Sequence, residues 1–302
     1  MGEYSKGLEV LTTTLQALAE RVTQGATLGD EDAALIVSSH DLIAIGTIAD
    51  DVRRQLHGTR TTFLRVFEMH AGAVPSAAPP GIAAGEFRIV GTAQSPAAAC
   101  AAVEAARRAG GPGFLSAFSL ADLGELSAHS ASLFRDLRSA GLDAVAEAPI
   151  DKVPASAVDA ARHAGLIVQR LTVADVPRDP VALVGAARQL QSLLGGFRAF
   201  APLPRNLSVA TPTTGFDDVK LVALARVLVR GIPSIQVDWP LYGPKLAQVA
   251  LTVGADDIDG IAAVESGALG TRRSALEEIN GNIRAAGLQP VERDGQFEVR
   301  GL

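Results

Sequence analysis

Short β-type runs alternate with helix-type runs along most of this chain, and that alternation constrains the fold more than any other feature. Eight of these runs are rich in β-branched or aromatic residues and are bounded by glycine, aspartate or proline, which predicts strands. The predicted strands are residues 61–67, 86–92, 113–119, 141–147, 165–173, 197–203, 232–239 and 255–261. Strands that are joined through helices run parallel, and eight parallel strands close a (β/α)8 TIM-type barrel.

Helical spacing of apolar residues fills the intervals between these strands and the region before them. Ser95 and Pro96 suit the N-cap and first-turn positions of a helix that Gly110 ends. The predicted helices are residues 8–22, 39–58, 95–110, 120–140, 155–164, 181–194, 217–230, 244–253 and 274–286. We therefore expect one structural domain, with an N-terminal helical extension at residues 1–58 and the barrel with a short C-terminal tail at residues 59–302.

The interval between the first and second predicted strands departs from the pattern. Residues 68–85 read "EMHAGAVPSAAPPGIAAG", and such small residues and prolines predict a compact connection, with the first βα helix missing or shortened. A doubly wound open sheet is the alternative fold, but it usually carries a glycine-rich phosphate turn after its first strand. No G-x-G-x-x-G follows Phe67. In the tail, Asp294-Gly295 favours a hairpin turn.

Composition and charge exclude several classes of protein. A net charge of −6 and a pI of about 5.4 argue against nucleic acid or an anionic membrane surface as a partner. No run of about 18 uncharged apolar residues is present, so we expect no membrane span. The first residues lack the apolar core of a secretory signal, so we expect a cytoplasmic protein. The single cysteine, Cys100, excludes an internal disulfide and any site that needs several cysteines of this chain.

Candidate functional residues are taken from the strand ends, because barrel enzymes place their chemistry at the carboxyl ends of the strands. Glu68 and His70 follow the first strand and form a candidate acid–base pair, and Glu147 and Asp175 are two further candidate catalytic carboxylates. The candidate ligand-binding residues are Thr92, Gln94, Arg205, Asp238, Trp239, Lys245 and Gln248. No residues have the spacing that is typical of a metal-binding triad or of a catalytic Ser-His pair. No metal site is therefore predicted.

Structural interpretations stand beside these functional ones. Trp239 could stack on an aromatic ligand or pack beneath the rim. Lys245 lies near a helix start whose amides could receive a carboxylate or phosphate, but it could equally be a solvated lysine. Turn and capping roles outweigh ligand binding for the aspartates at the end of the eighth strand. These are Asp256, Asp257 and Asp259.

The last third of the chain carries four segments in a recognisable order: "LGGFRAFAPLP", "GFDDVKLVALARVLVRGIPSIQVDW", "LYGPKLAQVALTVGADDIDG" and "RAAGLQPVERD". Together they resemble the C-terminal half of aminofutalosine synthase, a radical S-adenosylmethionine (SAM) enzyme family of the futalosine route to menaquinone. Lys245 and Gln248 match positions of that family. The related cyclase of that pathway and the synthases of the deazaflavin cofactor are similar but match less well. Fainter similarity in "SSHDLIAIGTIADDVRRQLHG", "EFRIVGT", "FLSAF" and "LRSAGLDAV" extends the resemblance over nearly the whole chain.

The same comparison shows where this chain departs from the family. There, a Cys-x3-Cys-x2-Cys loop after the first strand binds a [4Fe–4S] cluster, whereas residues 68–85 contain no cysteine. The family's glycine run after the fourth strand is replaced by "AEAPIDKV", its glycine pair after the second by Gly91-Thr92, and its Tyr-Gly-His turn after the fifth by "LTVADVPRD". We therefore expect neither a [4Fe–4S] cluster nor SAM, and no radical chemistry.

Three functional hypotheses follow. The first is a pseudoenzyme that pairs with an active paralogue or with another menaquinone-pathway protein. The second is a repurposed enzyme that uses the rim residues for cofactor-independent lyase or hydrolase chemistry. The third is a barrel that binds a small aromatic carboxylate.

Overall fold

The computed structural model describes residues 14–207, 212–264 and 276–300. The strands are β1 (Arg60–His70), β2 (Glu86–Val90), β3 (Leu115–Ser119), β4 (Ala144–Pro149), β5 (Arg170–Val173), β6 (Ala199–Pro204), β7 (Ser234–Asp238), β8 (Asp257–Ala262) and β9 (Gln289–Arg293). The helices are α1 (residues 14–23), α2 (Asp30–Ser38), α3 (Leu42–His57), α4 (Pro96–Gly110), α5 (Leu120–Ser127), α6 (Leu133–Ser139), α7 (Ala155–His163), α8 (Pro180–Leu194), α9 (Gly215–Leu228), α10 (Trp239–Leu251) and α11 (Leu276–Ala285). Residues 8–13 and 274–275 of the predicted helices lie outside the described residues.

Strands β1 to β8 form a closed parallel barrel. Each strand pairs with the next, and β1 pairs with both β2 and β8, which closes the ring. Val66 of β1 lies opposite Glu86 of β2 on one side and Ala262 of β8 on the other. The predicted TIM-type barrel is confirmed.

The long first strand also binds an extra strand. Its first half, Arg60 to Leu64, pairs with β9 in parallel, and its second half pairs with β2. The end of β9 therefore meets the start of β2, where the Gly295 amide donates to the Gly85 carbonyl at 3.0 Å. The Asp294 carboxylate then accepts the amides of Gln296 and Glu298, both at 2.9 Å, and holds the tail in a turn.

The connection between β1 and β2 contains no helix, as the sequence predicts. Residues 71–85 form turns and bends, and the Gly85 amide returns to the Arg65 carbonyl at 2.8 Å. Ile82 and Val74 pack partly buried against the hydrophobic core. The segment is thus a compact cover on that side of the barrel.

Helix ends follow the capping residues of the sequence in most places. The Ser95 hydroxyl accepts the Ala98 amide at 3.2 Å, so α4 starts where Ser95 and Pro96 predict it. The single helix predicted at residues 120–140 is wrong, because α5 and α6 are separate. Serines between α5 and α6 bond locally instead of continuing the helix, as in the Ser132 hydroxyl, which donates to the Asp136 carboxylate at 2.6 Å.

The helices that precede β1 pack on the outside of the barrel. α2 contacts α8 and α9, and α3 lies along α9. The Lys220 ammonium of α9 donates to the carbonyls of Val37 and Ser39 at 2.9 and 2.7 Å, which fixes the α2–α3 connection. No helix in the described part of the chain combines the length and apolar character that a membrane crossing requires.

Candidate functional site

A cavity of about 270 Å³ opens at the carboxyl ends of the barrel strands, and we call it the mouth cavity. Glu68 of β1, Glu147 of β4 and Asp238 of β7 line it, together with Arg205, which directly follows β6. These residues are distant in sequence and meet because parallel barrel strands end at one face. The mouth cavity is therefore the place where this fold presents polar groups to a ligand.

Arg205 is the central cation of the mouth cavity. Its Nη1 donates to Asp238 Oδ2 at 2.5 Å, and its Nε lies 3.2 Å from Glu147 Oε2 without the direction of a hydrogen bond. Burial alone lowers the pKa of Arg205, but the carboxylates of Asp238 and Glu147 outweigh it and raise that pKa above the ordinary value. The charged guanidinium therefore ties together the ends of three strands.

Asp238 also starts helix α10. Its Oδ1 accepts the Leu241 amide at 2.9 Å, as an N-cap residue does. Gly260 of β8 has a φ of 78°, and a Cβ there would lie 2.8 Å from Pro240 Cδ. Glycine is needed at this position so that the first turn of α10 can lie close over β8 and bring Asp238 to the mouth.

A buried ion network of Glu86, Arg88, Arg170 and Asp259, which we call the inner network, forms the floor of the mouth cavity, and its two arginines line that cavity. Arg88 binds both oxygens of Asp259 at 2.9 and 3.0 Å, and its Nε donates to Glu86 Oε1 at 2.6 Å. Arg170 lies 3.2 Å from Asp259 Oδ2 and 3.4 Å from Glu86 Oε2. Two anions and two cations thus neutralise each other inside the barrel.

The pKa values of the inner network reflect this pairing. Burial raises the pKa of each carboxyl, but the guanidiniums of Arg88 and Arg170 outweigh it, so the pKa values of Glu86 and Asp259 lie below their ordinary values. Burial and the neighbouring Arg88 lower the pKa of Arg170. Arginine stays protonated nevertheless, so all four groups are charged at neutral pH.

A second buried pair lies deeper in the barrel. Arg293 of β9 binds Asp257 of β8 through both carboxylate oxygens, at 2.6 and 2.7 Å. Gln236 and Thr62 donate to the same carboxylate at 2.6 and 2.5 Å. Four strands are therefore joined at one carboxylate, and this level of the barrel is filled by protein groups.

A larger depression of about 770 Å³ lies beside the mouth cavity, between α5 and α7, and shares Asp122, Glu147 and Arg205 with it. Burial, followed by the nearby Glu125 and Glu147 carboxylates, raises the pKa of Asp122. A carboxyl with a raised pKa is better suited to accept and release a proton near neutral pH. The sequence predictions did not include Asp122, because helix-start aspartates are common caps.

Five of the residues predicted from sequence meet at the mouth cavity. They are Glu68, Thr92, Glu147, Arg205 and Asp238. His70 and Gln94 are exposed and do not line it. The proposed Glu68–His70 pair therefore has only one member in the cavity wall.

Asp175 lies on the outer rim and serves a local contact. Its carboxylate accepts the Asn206 amide at 2.8 Å and lies 2.5 Å from the Lys152 ammonium. These hydrogen bonds lower the pKa of Asp175, so this carboxyl is less suited to general acid–base catalysis at neutral pH.

The remaining predicted residues belong to α10 and do not line the mouth cavity. Trp239 is 0% exposed and packs in the core, so the packing role holds here and ligand stacking does not. Lys245 is exposed and Gln248 partly buried on this outer helix. Neither side chain contributes to the wall of the mouth cavity.

The structure corrects the roles predicted for the aspartates of the eighth strand. Asp257 and Asp259 form buried ion pairs within the barrel instead of turns or caps. Asp256 is buried too and accepts a hydrogen bond from Arg226. The detectable signal was charge at every second position, as in "EFR" of β2 and "DID" of β8, because alternate residues share one face of a strand.

The residues available near the mouth do not fit a [4Fe–4S] cluster. Such clusters are held by several thiolates, and residues 71–85 offer no thiol, imidazole or carboxylate. Cys100 lies on helix α4, and burial raises the pKa of its thiol. Within the described ranges, no group of three or more His, Cys, Asp or Glu side chains is arranged to hold a metal ion.

The fold and mouth thus define a TIM-type barrel with a polar rim, and comparison with known proteins adds a family for its last third. Residues 198–302 match the family model of the CofH/MqnC C-terminal region. The resemblance noted from sequence is confirmed for this part of the chain.

Curated relatives of this region include several enzymes, of which two are described here. Aminodeoxyfutalosine synthase of Streptomyces coelicolor is 34% identical over 144 residues, which is 41% of this chain and 37% of the relative. The 5-amino-6-(D-ribitylamino)uracil–L-tyrosine 4-hydroxyphenyl transferase of Methanococcoides burtonii is 36% identical over 137 residues, 40% of this chain and 38% of the relative. The match therefore spans less than half the length of either relative.

Solved structures support the fold over nearly the whole chain. The FeFe-hydrogenase maturase HydG from Carboxydothermus hydrogenoformans has a TM-score of 0.67 at 10% identity and covers 97% of this chain and 84% of its own. Methylornithine synthase (PylB) has a TM-score of 0.64 at 13% identity and covers 90% of this chain and 97% of its own. At these identities the likeness concerns the barrel alone.

Proposed function

We propose that this chain is a cluster-less relative of aminofutalosine synthase that works in menaquinone biosynthesis as a cytoplasmic, non-catalytic partner of another pathway protein. One contrast carries the proposal. Residues 198–302 remain related to the family, whereas the connection at residues 71–85, where the family binds its cluster, offers no thiolate. An active paralogue or another enzyme of the pathway is the partner we expect.

The mouth cavity supports the same conclusion. "AEAPIDKV" replaces the family's glycine run, and Glu147 of this segment now lies beside Arg205. Side chains that form ion pairs here occupy the space where a glycine backbone could approach a cofactor. Neither the cluster nor SAM is therefore part of the proposed function.

Anaerobic reconstitution tests the cofactor part of the proposal. The protein and an aminofutalosine synthase, as positive control, are treated identically with iron, sulfide and reductant. We expect no stoichiometric iron and sulfide in this chain and no 5′-deoxyadenosine from SAM, because one thiol cannot hold a cubane cluster. A four-iron species that cleaves SAM contradicts the proposal.

Capture at native expression tests the partner part. A tagged chain is purified from its own organism, and co-purifying proteins are identified against a tag-only control. We expect an enzyme of the menaquinone pathway among them. Recovery of no pathway protein from an organism that makes menaquinone by this route contradicts the partnership.

The second candidate function is that the mouth cavity acts on a small molecule. It would either bind an aromatic carboxylate or catalyse a cofactor-independent lyase or hydrolase reaction. The observation in its favour is that a guanidinium, Arg205, and a carboxyl of raised pKa, Asp122, line one cavity. A ligand at 100 times its dissociation constant stabilises a protein by about 2.7 kcal/mol, which thermal shift detects. A shift without turnover supports the binder, turnover supports the enzyme, and no shift with any pathway intermediate contradicts both.

A further inference from the structure

A cavity of about 380 Å³ lies far from the mouth, and we call it the lateral cavity. Its walls are the loop at residues 25–28, the end of α8, and the end of α9 with the residues that follow it. Barrel helices run from the mouth to the opposite end, so the place where α8 and α9 end lies away from the mouth. The proposed function does not use this cavity.

The charged side chains that line the lateral cavity are positive. Two arginines, Arg188 and Arg230, line it, and no aspartate or glutamate in the described part of the chain does. Asp30 lies in an adjacent depression that shares Arg188 and Ser192. Asp30 is the only carboxylate of the described residues that lines either depression, so the lateral cavity favours an anion.

Arg230 is incompletely bonded within the protein. Its Nε and Nη2 are buried and have no hydrogen-bond partner in the part of the chain that the structure describes. Burial lowers its pKa, and no nearby carboxylate opposes that effect. Buried donors without an acceptor cost free energy, and Arg230 gains acceptors when its guanidinium turns toward an oxyanion in the lateral cavity.

The remaining wall is suited to a small organic ligand. Arg188 is fixed because its Nη2 donates to the Leu28 carbonyl at 3.0 Å. Thr27 and Ser192 add hydroxyl groups, and Val227 and Val229 add apolar surface. The volume falls within the range of small-molecule sites, near its lower end.

We infer that the lateral cavity is a binding site for an oxyanion group, a phosphate or a carboxylate, of a small metabolite. The planar guanidinium of Arg230 binds two oxygens of such a group, and Arg188 supplies the second positive charge. The bound anion supplies the acceptors that the protein does not provide.

Titration with inorganic phosphate and with citrate tests this inference by calorimetry, at constant ionic strength set with chloride. We expect saturable binding of at least one of them, and the tighter of the two identifies the class of oxyanion. Glucose 6-phosphate then shows whether an organic body improves the affinity of phosphate. Absence of saturable binding by all three compounds at millimolar concentration overturns the inference.

Variants locate the site. We expect Arg230→Gln to weaken binding at least tenfold, whereas Arg108→Gln, which removes an equal charge from a side chain that is 71% exposed on α4, changes it less than twofold. Ser192→Asp adds a carboxylate at an exposed position of the wall and keeps the fold testable if Arg230→Gln does not fold. Equal affinity of Ser192→Asp and the wild type contradicts the site. The result is independent of cluster reconstitution and of partner capture.

Discussion

The barrel interior and the lateral cavity both contain arginine side chains, but they differ in whether a carboxylate pairs with the guanidinium charge. In the interior, Arg88, Arg170 and Arg293 each lie within ion-pair distance of a carboxylate. In the lateral cavity, two nitrogens of Arg230 have no acceptor among the described residues. A buried charge costs several kcal/mol unless an opposite charge pairs with it. The arginines with a carboxylate partner therefore belong to the fold, whereas Arg230, whose pKa no described carboxylate raises, indicates an anionic ligand.

The largest expected effect comes from breaking the deepest pair. Asp257→Ala leaves Arg293 buried without its bidentate partner, and we expect a loss of about 3–5 kcal/mol in the free energy of unfolding. Urea unfolding followed by circular dichroism measures it. The control is the double variant Asp257→Leu with Arg293→Met, which leaves no unpaired charge and loses less. A single variant within about 0.5 kcal/mol of wild type, the range of ordinary surface substitutions, shows that the pair does not support the fold.

Lowering the pH is expected to have the next largest effect on the stability of the barrel interior. The folded pKa values of Glu86 and Asp259 lie below the unfolded values of about 4, so their stabilisation is complete above pH 4 and is lost as pH falls through the folded values. We expect the free energy of unfolding to fall steeply below about pH 4. Asp259→Asn removes one titrating group, so its slope is shallower even though its stability at pH 7 is lower. An identical slope in both proteins contradicts the assignment.

The pairs at the mouth are expected to matter less, because water reaches them. The Arg205 and Asp238 side chains are 18% and 17% exposed, and Arg205→Gln should cost about 1.5–3 kcal/mol, the range of a hydrogen bond to a charged group. Lys152→Gln is the matched control, since the Lys152 and Asp175 side chains are 46% and 52% exposed and water screens such a pair, so its loss should change stability much less. Equal losses in thermal unfolding show that the mouth is no better ordered than the surface.

Much of the fold could be predicted because local signals and the global fold agree. Ser95 and Pro96 start α4 where expected, and the proline-rich connection at residues 71–85 lacks a helix where expected. The split between α5 and α6 was missed because apolar spacing continues across serines that bond locally. The parallel pairing of β9 with β1 was missed because it depends on contacts more than 200 residues apart, as between Arg65 and Glu292 at 2.8 Å.

The site was predictable only in part, for a physical reason. Glu147, Arg205 and Asp238, taken from the strand ends, do lie together at the mouth cavity, because the barrel brings all strand ends to one face. Burial could not be deduced for Trp239, which follows its strand directly and then turns into the core. The partners of Arg88 were also hidden, since pairing across a barrel depends on register and not on spacing in the chain.

The smallest expected change in stability is that of an Arg230 variant, and it tests most directly the contrast between arginines with and without a carboxylate partner. Arg230→Met removes a partly buried charge that has no carboxylate partner among the described residues, so in chloride buffer without phosphate we expect a melting temperature equal to or above that of the wild type. Arg293→Met, by contrast, leaves the Asp257 carboxylate buried and unpaired and should lower it by many degrees. Phosphate should then raise the melting temperature of the wild type but not of Arg230→Met, because only the former can exchange an unsatisfied guanidinium for a bound anion. If both methionine variants lose stability alike, Arg230 contributes to the fold as Arg293 does, and the distinction between paired and unpaired arginines no longer holds.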